Sequence, residues 1–140
     1  MNIVIAQSGG PTCAINASLA GIYTAARASS DIQTVYGVRN GIEGILHDNL
    51  LDLSTVLPDD AAIELLTRTP STILGSCRCK LPLPEEDESP YRTILTCLQK
   101  HNIGAFFYIG GNDSMDTVHK LSAYLATKGS DIRAIGIPKT

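Results

Sequence analysis

Two apolar runs, each broken by a glycine pair and each followed by a helical pattern, restrict what this chain can become. Ile3-Val4-Ile5-Ala6 leads into Gln7-Ser8-Gly9-Gly10, and Ala105-Phe106-Phe107-Tyr108-Ile109 leads into Gly110-Gly111. An apolar run without polar alternation marks a strand covered on both faces. After the first turn, Ile15, Leu19, Ile22 and Ala26 recur at helical spacing. After the second, Met115, Val118, Leu121 and Leu125 do so over residues 113–128. Repeated strand–turn–helix units imply an α/β fold: a mostly parallel, doubly wound sheet with helices on both faces.

The remaining pattern fits that frame. Residues 34–38 and 132–137 read as strands, and residues 50–53 as a short strand or extended segment. Asn40-Gly41 is a turn signal. Asp59-Asp60 suits the start of a helix over 61–67, because acidic side chains favour a helix N-terminus, and Pro70 ends it. Tyr91, Ile94, Leu95 and Leu98 form a further helical stripe. The proline-rich, acidic stretch 81–90, with Glu85-Glu86-Asp87-Glu88, reads as a solvated loop. No repeat or flexible linker interrupts the chain, so residues 1–140 are expected to form one unit.

Composition narrows the function. A hydrophobic content of 44% with 18% charged residues suits a globular protein with a sizeable core. The net charge of −3 argues against nucleic acid or an anionic membrane surface as partner. No apolar stretch is long enough to span a membrane, and no cationic segment precedes the short run at the start, so cytoplasmic is the expected location. Cys13, Cys77, Cys79 and Cys97 read as reduced thiols, since a C-x-C pair alone is a poor zinc signature. His47, His101 and His119 are scattered with no nearby ligand set, so they read as surface or satisfied histidines rather than metal ligands.

In a doubly wound sheet, ligands bind beyond the carboxyl ends of the strands. Both glycine-rich turns are expected there: Ser8-Gly9-Gly10-Pro11-Thr12 and Gly110-Gly111-Asn112-Asp113-Ser114. Glycine lets backbone approach an anion, and a helix N-terminus offers amides and a positive dipole end. Neither turn matches the dinucleotide or NTPase fingerprints. On spacing alone, two tight strand-to-helix connections explain them equally well. Arg78, after Leu74-Gly75-Ser76-Cys77, can fork onto phosphate, although alone it reads first as a surface arginine.

Five motifs in order and spacing resemble the phosphofructokinase family. They are Ser8-Gly9-Gly10, Tyr36-Gly37-Val38-Arg39-Asn40-Gly41, Leu74-Gly75-Ser76-Cys77-Arg78, Ile109-Gly110-Gly111-Asn112-Asp113-Ser114 and Gly136-Ile137-Pro138-Lys139-Thr140. The resemblance runs nearly end to end and is to the N-terminal part of those enzymes. It implies phosphorylation of fructose 6-phosphate at its 1-hydroxyl, with ATP or diphosphate as donor. It further implies that Gly10 and Gly111 approach the donor phosphates and that Arg78 reaches the phosphoryl groups. Ser114 would cap the helix after the second loop and position the donor. Thr140 would begin the sugar-phosphate segment.

Two positions bear on the donor. ATP-using members resemble Gly-Gly-Asp-Gly-Ser, with glycine where this chain has Asp113; a carboxylate there fills the space of a nucleotide α-phosphate and repels it. Lys139 lies in Pro-Lys-Thr, the pattern of diphosphate-dependent members, where an ammonium neutralises the phosphate in flight. On the residues alone, a helix-capping Asp and a solvated Lys explain the pair. Asn112 stands where most members place an aspartate for Mg²⁺. A neutral amide is a weaker ligand, so the required Mg²⁺ is expected to be held mainly by the donor phosphates.

In the family, Pro-Lys-Thr runs into an Asp-x-Asp segment whose first aspartate is the general base. The expectation is therefore that residues 1–140 are an inactive donor-binding piece of a longer enzyme, itself a homodimer or homotetramer. Alternatives are an ATP-dependent phosphofructokinase, a kinase of the NAD-kinase type, which the other motifs fit poorly, and a non-catalytic phosphate- or nucleotide-binding regulatory module.

Overall fold

The computed structural model describes residues 1–8, 13–69, 73–75 and 81–138, with the side chain of Cys13 excepted. In chain order the elements are β1 (Asn2–Gln7), α1 (Cys13–Arg27), β2 (Val35–Val38), α2 (Gly41–Leu46), β3 (Leu50–Asp52), a 3-10 turn (Leu53–Thr55), α3 (Asp60–Thr67), α4 (Ser89–Lys100), β4 (Ile103–Gly110), α5 (Asn112–Thr127) and β5 (Arg133–Pro138). They build a five-stranded sheet in the order β3-β2-β1-β4-β5. Among the described strands, only β3 runs antiparallel to its neighbour.

The side-chain period of two explains why β1 reads as a continuous apolar run. Ile3 and Ile5 face one layer, with Ile15, Leu19, Tyr23, Ile63 and Leu66 of α1 and α3. Val4 and Ala6 face the other, with Ile42, Ile45, Ile94, Leu98, Leu121 and Leu125 of α2, α4 and α5. Both faces are covered, so no polar residue is needed until Gln7. Edge strand β5 keeps an exposed or half-buried pattern throughout.

The turn expected at Asn40-Gly41 is present: both residues take left-handed φ values, 62° and 61°, and the turn leads directly into α2. Another local expectation changes. Stretch 81–90 is not uniformly solvated. Leu81 is buried in the core, Tyr91 Oη donates to the Pro82 carbonyl at 2.5 Å, and Ser89 with Pro90 already forms the first turn of α4. A proline fits there because that turn lacks an acceptor for its N–H. Glu88 is also drawn in, accepting from Tyr124 Oη and pairing with Lys128, each at 3.0 Å. Glu85, Glu86 and Asp87 do face solvent. Pro70 lies outside the described residues. No described helix is long and apolar enough to cross a membrane.

The chain lays β2 and β3 on one side of β1, then returns to place β4 on the other. The order therefore reverses between β1 and β4, and a crevice at their carboxyl ends is the place such a sheet offers a ligand.

Candidate phosphoryl-donor site

Registry brings the carboxyl ends of β1 and β4 together. Gln7 pairs with Ile109, and the Ser8 amide donates to the Ile109 carbonyl at 2.8 Å. Gly110 sits beside them under tight constraint. A Cβ there would overlap Ser114 Oγ, lie 2.6 Å from Ser114 Cβ and 3.2 Å from the Ser8 carbonyl oxygen. Glycine is what lets the first turn of α5 seat against the ends of β1 and β4. Gly111 differs: a Cβ built there meets no described atom within 4 Å.

Gly111 is the N-cap of α5, and as glycine it brings no side chain to its first amides. Those amides and the positive end of the helix dipole suit an anion. Ser114, expected as the cap, is instead a buried residue within the helix, packed under Gly110. Asn112 and Asp113 are exposed in the same turn. The Asp113 carbonyl accepts from Thr117 Oγ1 at 3.1 Å. On β5, Pro138 pairs with Gly110, and Lys139 follows it in sequence. Gly10, Arg78, Lys139 and Thr140 lie outside the described residues.

A third segment is tied to the same strand end by two side-chain amides that no sequence motif marks. Gln7 and Asn16 are wholly buried. Gln7 Nε2 donates to Asn16 Oδ1 at 3.0 Å, and Gln7 Oε1 accepts from the Leu74 amide at 3.0 Å. Asn16 Oδ1 accepts from the Ile73 amide at 3.3 Å, while its Nδ2 donates to the Thr69 carbonyl at 2.8 Å. The Leu74 carbonyl accepts from the Asn40 amide at 2.8 Å. Gly75 turns there at φ 75°, where a Cβ would lie 2.5 Å from Asn40 Oδ1. The backbone that leads toward Arg78 is thus clamped from β1, α1 and the start of α2. The available signal was two amides inside apolar patterns, Gln7 ending a strand and Asn16 next to Ile15.

One sequence expectation needs correction. His101 does have ligand-type neighbours: Asp48 Oδ1 lies 2.7 Å from its Nε2, and Cys97 Sγ donates to the same oxygen at 3.4 Å. Asp48 is distant in sequence from both, so periodicity could not reveal it.

The chain is similar to known proteins along nearly its whole length. The family model "Phosphofructokinase" matches residues 2–140. A pyrophosphate–fructose 6-phosphate 1-phosphotransferase of Methylococcus capsulatus is 45% identical over 99% of this chain and 33% of its own length. An ATP-dependent 6-phosphofructokinase of Glaesserella parasuis is 31% identical over 99% of this chain and 38% of its own length. The crystal structure of a pyrophosphate-dependent phosphofructokinase from Nitrosospira multiformis superposes with a TM-score of 0.90 at 45% identity, covering 99% of this chain and 33% of that one. The chain spans about a third of the length of these relatives. With a match that runs through every strand and both glycine turns, this chain belongs to the phosphofructokinase family.

Proposed function

We propose that residues 1–140 form the phosphoryl-donor side of a diphosphate–fructose-6-phosphate 1-phosphotransferase. Four curated relatives bearing that activity in their names align at 41–45% identity, whereas two named as ATP-dependent align at 30–31%. The observation that carries the choice of donor is Asp113, exposed in the first turn of α5 two residues past the open side of Gly111. A nucleotide must continue beyond its second phosphate, and a carboxylate there meets its α-phosphate with like charge. In a partly dry site that costs on the order of a few kcal/mol. Diphosphate ends before it.

In this reading the 1-hydroxyl oxygen of fructose 6-phosphate attacks one phosphorus of diphosphate. The bridging P–O bond breaks, inorganic phosphate leaves, and the hydroxyl proton passes to a base. The transition state is loose, so positioning and charge neutralisation supply most of the catalysis. Gly10, Gly111 and the α5 amides approach the donor, with Ser114 seating that turn. Arg78 and Lys139 neutralise the moving phosphoryl group, and Thr140 meets the sugar phosphate. The parts given to Gly10, Arg78, Lys139 and Thr140 rest on the sequence match alone.

Mg²⁺ fits here chiefly through the donor. Asn112 offers a neutral amide oxygen at the positive end of a helix, a weak direct ligand, and the diphosphate oxygens supply the hard anionic ones. When bound, the ion offsets the charge of the diphosphate. The free Cys97 thiol is in keeping with action in the reducing cytoplasm.

A coupled assay of the full-length protein with each donor tests the proposal. Turnover with diphosphate and little with ATP is expected; efficient turnover with ATP and none with diphosphate overturns it.

A further inference from the structure

The group that the donor chemistry does not use is the cluster of Asp48, Cys97 and His101. Cys97 lies in the last turn of α4 and His101 caps that helix, four residues on, so helical spacing stacks them on one side. Asp48 meets them from the corner after α2, where its φ of 57° turns the chain. One oxygen, one nitrogen and one sulfur atom converge there beside a groove. The donor atoms of Asp48, Cys97 and His101 all lie within 4.8 Å of one another. Lys100 Nζ holds the other carboxylate oxygen, Oδ2, at 2.5 Å.

We propose that Asp48 Oδ1, Cys97 Sγ and His101 Nε2 bind a divalent cation of zinc type, with its fourth position open to the groove. The three atom types are those of zinc sites, where bonds to oxygen and nitrogen run about 2.0 Å and bonds to sulfur about 2.3 Å. At tetrahedral angles such bonds separate oxygen from sulfur by roughly 3.5 Å and oxygen from nitrogen by roughly 3.3 Å. The observed oxygen–sulfur separation of 3.4 Å matches. The oxygen–nitrogen separation of 2.7 Å must open by about half an ångström, since a hydrogen bond is replaced by two bonds to metal.

The surroundings support the arrangement. The Tyr36 ring stands edge-on to the His101 imidazole at 5.4 Å, and Asn2 Nδ2 donates to the His101 carbonyl at 2.8 Å, so this ligand is already oriented. Lys100 occupies Oδ2 and leaves Oδ1 for the ion, the outer-partner arrangement that fixes a ligating carboxylate. A groove of about 340 Å³ lined by Ile45, Thr93, Thr96 and Arg92 adjoins the cluster, giving room for water or an exogenous fourth ligand. Binding replaces the Cys97 S–H with an S–metal bond and releases that proton to solvent. His101 precedes the amino end of β4 and Gly110 ends the same strand, so this site is separate from the donor loops.

Cobalt(II), which reports its own coordination, is the probe. Added to the metal-stripped full-length protein, one equivalent should give tetrahedral visible bands and a thiolate-to-cobalt charge-transfer band. Zinc should displace it and raise the melting temperature. Cys97→Ser should remove the charge-transfer band, and His101→Gln, at a partly exposed position, should weaken binding at least tenfold while melting as the unsubstituted protein does without metal. Absence of a charge-transfer band, or the same band and affinity in both variants, overturns the proposal. In that case the cluster is a hydrogen-bonded hub closing the end of α4.

Discussion

Gln7 and Asn16 form one amide pair, wholly buried, with Gln7 Nε2 donating to Asn16 Oδ1 at 3.0 Å. Between them they also hold the backbone of Thr69, Ile73 and Leu74. A buried polar group left without its partner costs roughly 1–3 kcal/mol. Asn16→Leu strands Gln7 Nε2, the Ile73 amide and the Thr69 carbonyl together. It should lower unfolding free energy by about 3 kcal/mol or more, read from urea midpoints. Because the two amides act as a unit, Gln7→Leu combined with Asn16→Leu should cost less than the sum of the single changes. Strict additivity would show that they do not.

Neighbouring glycines should respond to different degrees. Gly110→Ala drives a methyl into Ser114 and toward the Ser8 carbonyl, an overpacking that costs typically 1–3 kcal/mol and lowers the melting temperature. Gly111→Ala meets no described atom within 4 Å and has an ordinary φ of −89°, so its melting temperature should fall only by the modest cost of alanine at an N-cap, less than for Gly110→Ala. If diphosphate approaches that open side, Gly111→Ala should still weaken diphosphate binding, measured by calorimetry on the full-length protein. Equal melting temperatures for the two variants would remove the steric distinction between them.

Asp113→Gly tests the donor filter. Removing the carboxylate should tighten nucleotide binding by about tenfold for each 1.4 kcal/mol of repulsion relieved. Titration with an ATP analogue measures this. No gain in affinity would mean that the exposed carboxylate does not meet the nucleotide path.

Glu88 supplies a pH dependence. Its carboxyl is held below the ordinary glutamate range, first by the hydrogen bond from Lys128 and then by that from Tyr124. A depressed carboxyl contributes stability that is present above its unfolded value and lost as pH falls through its folded value. The Lys128 ammonium is raised by the same pairing, so its share is present below its unfolded value and is lost as pH rises through its folded one. On acidification from neutrality, the stability advantage over Glu88→Gln should shrink and then vanish. Thermal melts of both proteins across the acidic range check it, and a constant difference would contradict the assignment.

The parts legible in sequence were those in which local pattern and tertiary demand agree. β1, β4 and α5 could be read because a strand covered on both faces must be apolar and a helix on a sheet must repeat its apolar positions. α2 escaped because six residues with a glycine at each of two positions carry too little periodicity. Glu88 looked like part of an acidic loop because its partners, Tyr124 and Lys128, are far along the chain. The same holds for Asp48 and His101, which are 53 residues apart. Gln7 and Asn16 were visible as polar exceptions, but their role depends on which loop returns to meet them. Of the candidate site, the Gly110-Gly111 turn and the exposed Asp113 beyond it were legible. The cap was misread as Ser114, since only the path of the chain shows that the helix begins at Asn112.

β4 also sets a length. It carries eight residues, and at about 3.3 Å per residue it spans roughly 23 Å between its ends. Its pairing with β1 fixes which of those residues face α1 and which face α4. Adding or deleting a single residue within it would exchange Phe106 and Phe107 between the two layers and carry Gly110 out of step with Ser8 and Pro138. The exposed turn at Glu85–Asp87 has no such gauge to keep, so evolution can lengthen this protein there far more freely than along the strand that measures out the distance to the Gly110–Gly111 turn.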